Sequence, residues 1–216
     1  MKKLPPEELR RLNSMCYFIE QTRKYNIEPK VIFDIGAYNA AHTLELAQEF
    51  NVLLSNAYAF EPHPGMIYHC KNRKVNVLEM AISNFDGIVD FNAIDLTQSC
   101  HHGCSSLYPI NRPHNTIKVP IYRIDTLIRK CDVPIPDMVK IDVEGKSYEV
   151  LESFGQYLKN VKILHVETEA IDFYKSSQKT KDDIVKFMEA KNFEVVHELF
   201  IPEFQYDLIF VNRNVL

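Results

Sequence analysis

The apolar residues of this chain fall into two spacings. Short continuous runs such as Val31–Ile35 alternate with segments where they recur every three or four positions, as along a helix from about Asn39 with Ala40, Leu44 and Ala47 on one face. The first spacing predicts strands buried on both faces, the second amphipathic helices packed over them. "NAYAFEP" reads as a second strand ending at Glu61-Pro62, and "VNVLEMAIS" as a third. "DMVKIDVEG" is a further buried strand that ends in carboxylates, and Val150, Leu151, Phe154 and Leu158 mark the helix after it. "VKILHVETE" follows, and Thr180 caps a helix reaching about Asn192. "GIVDFNAI" and "IKVPIYRI" read as a paired addition. "FEVVHELF" and "YDLIFVNRN" alternate more and sit close together, as in an antiparallel pair.

Strands alternating with helices predict an α/β fold, an open and mostly parallel sheet covered on both faces. Residues 6–25 read as a separate amphipathic helix, with Pro5, Pro6, Glu7 and Glu8 at its start and Leu9, Leu12, Cys16 and Ile19 as its expected buried stripe. The expected organisation is a helical extension over 1–28 and one domain over 29–216. Only Leu96–Thr116, rich in His, Ser, Cys, Asn and Pro, fits neither spacing. A loop that long in a compact domain is expected to be a lid, a binding loop or a disordered surface loop.

Composition narrows this picture little. At 216 residues the chain can bury an ordinary core. A net charge of −4 argues against a general nucleic-acid or membrane-surface binder. Five cysteines without regular spacing suggest reduced thiols rather than a disulfide framework. "MKKLPPEELRRLN" lacks the apolar core of a signal peptide, and no apolar run is long enough to span a bilayer, so a soluble, cytoplasmic setting is expected.

In open α/β sheets, ligands sit beyond the carboxyl ends of the strands. Asp34, Gly36, Glu61, Asp142 and Glu167 all fall at such ends. The corner after Val31–Ile35 has one glycine, Gly36, where a dinucleotide loop has three, and Asp34 beside it repels phosphate but can pair with an ammonium group. Glu61 can accept hydrogen bonds from ribose hydroxyls. An amino-acid end at the first strand and a ribose at the second describe S-adenosylmethionine.

In order, "FDIGAYNAAHTLELA", "AFEPHP", "EMAISNFDG", "VPIYRIDTLI" and "VKIDVEGKSYEVLESF" resemble the FkbM-type family of S-adenosylmethionine-dependent methyltransferases over roughly residues 30 to 170. The resemblance implies the class I methyltransferase (Rossmann-like) fold, a seven-stranded sheet whose last strand is antiparallel. It implies that Asp34, Gly36 and Ala37 face the methionine part, with Tyr38, Asn39 and Thr43 beside them. Glu61 is then the ribose-binding acid, next to Pro62, and Ala81, Ile82 and Ser83 line the adenine. Asp142, Glu144 and Gly145 match the motif beside the transferred methyl. The family usually has Asn where this chain has Tyr38 and Gly where it has Ala40, which implies a tighter or weaker cofactor pocket.

The expected activity is O-methylation of a hydroxyl on a sugar, glycan or secondary metabolite. Asp142, Glu144 and Glu167 are the candidate catalytic carboxylates. His165 shares a strand face with Glu167 and reads as a packed core histidine. A magnesium ion between Asp142 and Glu167 is conceivable but not required. "CHHGC" (Cys100 to Cys104) is a poor zinc site, being one cluster where structural zinc favours two separated pairs. Ser105, Ser106, Tyr108, Asn111 and Arg112 in the long loop suit a polyhydroxylated acceptor, and Lys71 to Lys74 read as a solvated helix end. Two other classes stay open: a binding module that keeps the cofactor pocket without turnover, and a nicotinamide oxidoreductase, against which the missing glycines speak.

Overall fold

The structure is a computed structural model that describes residues 14–98, 103–171, 178–201 and 205–215. Its helices are α1 (Ser14–Lys24), α2 (Ala41–Glu49), α3 (Pro64–Asn72), α4 (Ile124–Arg129), α5 (Ser147–Ser153) and α6 (Lys181–Ala190). Its strands are β1 (Ile32–Ile35), β2 (Ala57–Phe60), β3 (Asn76–Leu78), β4 (Ala81–Ile82) and β5 (Gly87–Ile94). They continue with β6 (His114–Tyr122), β7 (Met138–Ile141), β8 (Ile163–Glu169), β9 (Phe193–Ile201) and β10 (Gln205–Asn212).

The continuous apolar runs become the middle of a seven-stranded sheet, in the order β3-β2-β1-β7-β8-β10-β9. β1 and β7 are buried at every residue, which is why their sequences do not alternate. β10 is inserted antiparallel between β8 and β9, as the resemblance implies. Side chains of the sheet point alternately to two cores. Phe33, Ile35, Val139 and Leu164 meet the apolar sides of α4, α5 and α6. Ile32, Met138, Ile163 and Ile209 meet Met15 and Phe18 of α1 and Leu46 and Ala47 of α2. No helix among the described residues is long and apolar enough to cross a membrane.

"VNVLEMAIS" is not one strand. β3 runs parallel to β2 only until Phe60 meets Leu78, where β2 ends and offers no further partner. The chain turns there, and Ala81–Ile82 pair with β6 instead. With β5 antiparallel to β6, this makes a separate three-stranded sheet in the order β4-β6-β5. The long loop ends sooner than expected, because β6 already begins at His114. The stripe of α1 is also rotated by one position: Met15, Phe18 and Thr22 are buried, whereas Cys16 and Ile19 are only half-buried. Leu9 and Leu12 lie outside the described residues.

Three strand ends are stitched together by backbone. Gly36 and Ala37 donate to the Phe60 carbonyl at 3.0 and 3.1 Å, and Asp142 donates to that of Ile35 at 2.9 Å. Gly36 has φ 78, and a Cβ there would lie 1.8 Å from the Asp142 carbonyl oxygen. Only glycine lets the first corner cross the end of β7. Gly36→Ala is expected to cost more than about 3 kcal/mol in urea denaturation, since backbone cannot yield as an overpacked side chain does. Gly103→Ala, with nothing among the described residues within 4 Å of the added carbon, should stay within about 0.5 kcal/mol of wild type.

Candidate active site

The stitched ends open onto a cavity of about 470 Å³, within the range of small-molecule sites. Its floor is the carboxyl end of β1, β2, β7 and β8. Gly36, Ala37, Tyr38 and Asn39 form one side, Glu61 and Pro62 the next, and Asp142, Glu144 and Glu167 the far side. Phe60, Met80, Ala81, Ile82 and Phe91 make an apolar end under the second sheet. Cys104, Ser105 and Ser106 of the long loop reach the opposite rim.

That loop is pinned at described points. Ser106 exchanges backbone hydrogen bonds with Asn92 at 3.0 and 3.2 Å, and its hydroxyl donates to the Glu144 carbonyl at 2.8 Å. The Ser105 hydroxyl accepts from the Ile94 N–H at 3.1 Å. Most of "CHHGC" lies outside the described residues.

The expected cofactor residues divide in two. Gly36, Ala37, Tyr38, Asn39, Glu61, Pro62, Ala81, Ile82 and Asp142 face the cavity. Asp34, Thr43 and Ser83 do not: they are buried behind its wall. Asp34 pairs with an ammonium group as its chemistry suggested, but that group is the protein's own. The Lys140 Nζ stands 3.2 Å from Asp34 Oδ1 and 3.0 Å from Asp142 Oδ2, and Thr43 donates its hydroxyl to Asp34 Oδ2 at 2.6 Å. Ser83 is spent on the second sheet, its N–H donating to the Tyr122 carbonyl at 3.1 Å.

Lys140 escaped the sequence reading. It sits in an otherwise apolar strand, and the signal for it was parity: it lies two residues before Asp142 and in register with Asp34, so all three share a face. Burial alone would lower the Lys140 pKa, but Asp142 and Asp34 outweigh it and hold the ammonium above its usual range. Burial would equally raise Asp142; Lys140 prevails there and holds it below the usual carboxylate range. Asp142 therefore stays ionised while its side chain, 34 % exposed, opens to the cavity.

Glu61 behaves oppositely. Burial raises its carboxyl to about 7, with Asp34 and Asp142 adding repulsion against two backbone donors, the Tyr38 N–H and His63 N–H, each at 2.7 Å. His63 was also missed. Its Nδ1 accepts from the Gly65 N–H at 3.0 Å, so Nε2 carries the proton and donates to the Ile94 carbonyl at 2.9 Å, joining the Glu61 corner to the second sheet. Glu167 is raised well above the ordinary range by burial and by Asp142, Glu144 and Asp207. His165 lies one step deeper, under α1, with Phe18 at 5.7 Å between ring centres and Asp207 at 3.4 Å. Burial lowers its pKa to about 3, so it is a neutral core histidine.

A magnesium ion between Asp142 and Glu167 does not fit this arrangement, because the Lys140 ammonium already occupies the electrostatic place beside Asp142. Among the described residues, no group of three or more His, Cys, Asp or Glu is set to hold a metal.

The two departures from the family pattern fall on strained backbone. Tyr38 has φ 51 and Ala40 φ 56, a region that costs non-glycine residues about 1–2 kcal/mol and that asparagine tolerates better than tyrosine. Glu144 (φ 38) and Gly145 (φ 91) form a second left-handed turn at the end of β7.

A sheet of this order with a cavity over its carboxyl end defines a Rossmann-like α/β protein of the class I methyltransferase type. The methyltransferase FkbM domain pattern matches residues 34–195, and the chain belongs to that family. Hexuronic acid methyltransferase AglP of Haloferax volcanii is 26% identical over 149 residues, which is 66% of this chain and 57% of that protein's length. The crystal structure of methyltransferase FkbM from Methylobacillus flagellatus KT superposes with a TM-score of 0.55 at 12% identity, over 96% of this chain and 55% of that one. This chain thus spans little more than half the length of either relative. Precorrin-6y C5,15-methyltransferase from Geobacter metallireducens GS-15 superposes at 0.49 with 15% identity, over 98% and 91% of the two chains.

Two measurements probe the electrostatics. Lys140→Met should cost about 3–5 kcal/mol by stranding a buried carboxylate, and adding Asp34→Asn should recover much of that loss in the same urea titration. Glu61 has a folded pKa above its ordinary 4.5, so the stability tied to its neutral form is complete below that value and is lost as pH rises through about 7. Glu61→Gln should therefore gain on wild type across that window, by up to about 3 kcal/mol. A pH-independent difference would contradict the assignment.

Proposed function

We propose that the cavity binds S-adenosylmethionine and that the protein transfers its methyl group to a hydroxyl of a sugar, glycan or similar polyhydroxylated acceptor. The observation that carries the proposal is the pairing of chemistries along one cavity. An apolar end (Ala81, Ile82, Phe91) suits adenine, and a buried carboxylate at the end of β2 suits ribose hydroxyls. A corner of backbone groups, Gly36 to Asn39, suits the methionine part. The family supports the cofactor, and the hexuronic acid named for the Haloferax relative supports a sugar acceptor.

When bound, the cofactor supplies an electrophilic methyl on a sulfonium. The residues then have three tasks. Alignment of donor and acceptor is the largest, worth roughly 7–11 kcal/mol of the barrier. Asp142, kept ionised by Lys140, holds negative charge at the wall where the reacting groups meet. Glu167, on the far side of the cavity, takes the acceptor's proton when ionised, a contribution of about 10²–10⁴-fold. Ser105 at the rim offers its hydroxyl to the acceptor, while Ser106, whose hydroxyl is held by Glu144 and Tyr108, fixes the loop.

Calorimetric titration with S-adenosylhomocysteine should give micromolar binding that is lost in Glu61→Ala. In wild type it should tighten as pH rises through about 7, because an ionised carboxylate is the stronger acceptor. Incubation with S-adenosylmethionine and a panel of glycans should then add one methyl by mass. Absence of S-adenosylhomocysteine binding would sink the cofactor assignment. Binding with no methyl gained across the panel would favour a module that holds the cofactor without turnover.

A further inference from the structure

Between Tyr38 and Ala40 the corner holds two non-glycine residues in left-handed backbone, and both Tyr38 and Asn39 line the cavity. Nothing in the side chains of Tyr38 and Ala40 themselves favours that geometry. Within the corner the Ala40 N–H donates to the Ala37 carbonyl at 2.7 Å and the Ala41 N–H to Asn39 Oδ1 at 2.9 Å, and a further hold comes from α3, outside the corner. The Arg73 Nε, at the carboxyl end of that helix, donates to the Asn39 carbonyl at 2.6 Å, and one turn earlier the Cys70 thiol donates to the Tyr38 carbonyl at 3.0 Å. Arg73 does not line the cavity.

The chemistry of the peptide plane makes the first contact specific. The Asn39 carbonyl belongs to the peptide that links Asn39 to Ala40. Turning that plane changes ψ of Asn39 and φ of Ala40 together, and it is the motion by which Ala40 would relax out of the left-handed region. A cation that grips the carbonyl opposes that motion directly, through a charge-assisted hydrogen bond. The other end of α3 is tied to the same corner, since one Glu61 oxygen accepts from the His63 N–H before the helix and the other from the Tyr38 N–H. The helix thus acts as a brace, anchored at both ends against the first corner.

We propose that Arg73 is a positioning residue for the cofactor: it holds the strained corner in its binding conformation from outside the cavity and so sets the affinity. The inference rests on the cofactor reading above. It replaces an intrinsic backbone preference, which glycine at position 40 would supply, with a tertiary hydrogen bond.

A double-mutant cycle tests it, with S-adenosylhomocysteine as the probe. Arg73→Ala should weaken binding at least tenfold, about 1.4 kcal/mol, and Arg73→Lys, which keeps the charge but loses the Nε–H, should behave similarly. In an Ala40→Gly background, where the left-handed backbone no longer needs a brace, the same substitution should cost less than about threefold. A role for Arg73 in general stability would not depend on residue 40. Unchanged affinity in Arg73→Ala, or an equal loss in both backgrounds, overturns the proposal. If wild type binds no S-adenosylhomocysteine, the cofactor reading falls and the brace is judged by amide exchange. Arg73→Ala should speed exchange of the Tyr38 and Ala40 amides about tenfold, and Ala40→Gly should remove Arg73's effect. Exchange that ignores Arg73 overturns the brace as well.

Discussion

A single buried ammonium organises the carboxyl end of this sheet. Lys140 is 2 % exposed and stands between Asp34, fully buried, and Asp142, open to the cavity. Two carboxylates alone at that depth would repel each other. With Lys140 between them, the charges of β1 and β7 become an attraction across the two central strands. One carboxylate is consumed in the wall and the other is delivered, still ionised, to the ligand side. Such pairs contribute little net stability compared with a well-packed apolar core, but breaking one is costly. Its value here is to fix which carboxylate faces the cavity.

The same wall carries a second, contrasting acid. Among the described residues Glu61 has no cation partner, only two backbone donors, and its pKa climbs while that of Asp142 falls. Two acids of one cavity are thereby tuned apart by their surroundings. The division also couples the corners. Glu61 holds the Tyr38 N–H, His63 reaches the second sheet at Ile94, and the Ile94 N–H is held by Ser105 of the rim loop. One continuous chain of hydrogen bonds therefore runs from the first corner to the loop over the cavity.

Much of this was legible in residue order. The non-alternating, mostly apolar β1 and β7 announced the buried centre, the alternation of "FEVVHELF" and "YDLIFVNRN" announced the antiparallel pair, and the acids at strand ends marked the cavity rim. The failures share a cause. Asp34 and Thr43 carry polar groups suited to a ligand, and only the partner across the sheet shows that they are spent internally. Lys140 is that partner, and its role depends on register between strands more than 100 residues apart, which local pattern does not encode. "VNVLEMAIS" was apolar enough for one strand, yet its break is set by where β2 ends. Tyr38 and Ala40 were visible as departures, but their left-handed backbone, and the helix that braces it, were not.

The most direct test is a crystal structure of the chain with S-adenosylhomocysteine. The account predicts the ribose hydroxyls on Glu61, the amino-acid end against the Gly36–Asn39 corner, and Asp34 still bound to Lys140 behind the wall. A ligand lying elsewhere, or an Asp34 carboxylate that leaves Lys140 to take the ligand's ammonium group, would contradict it.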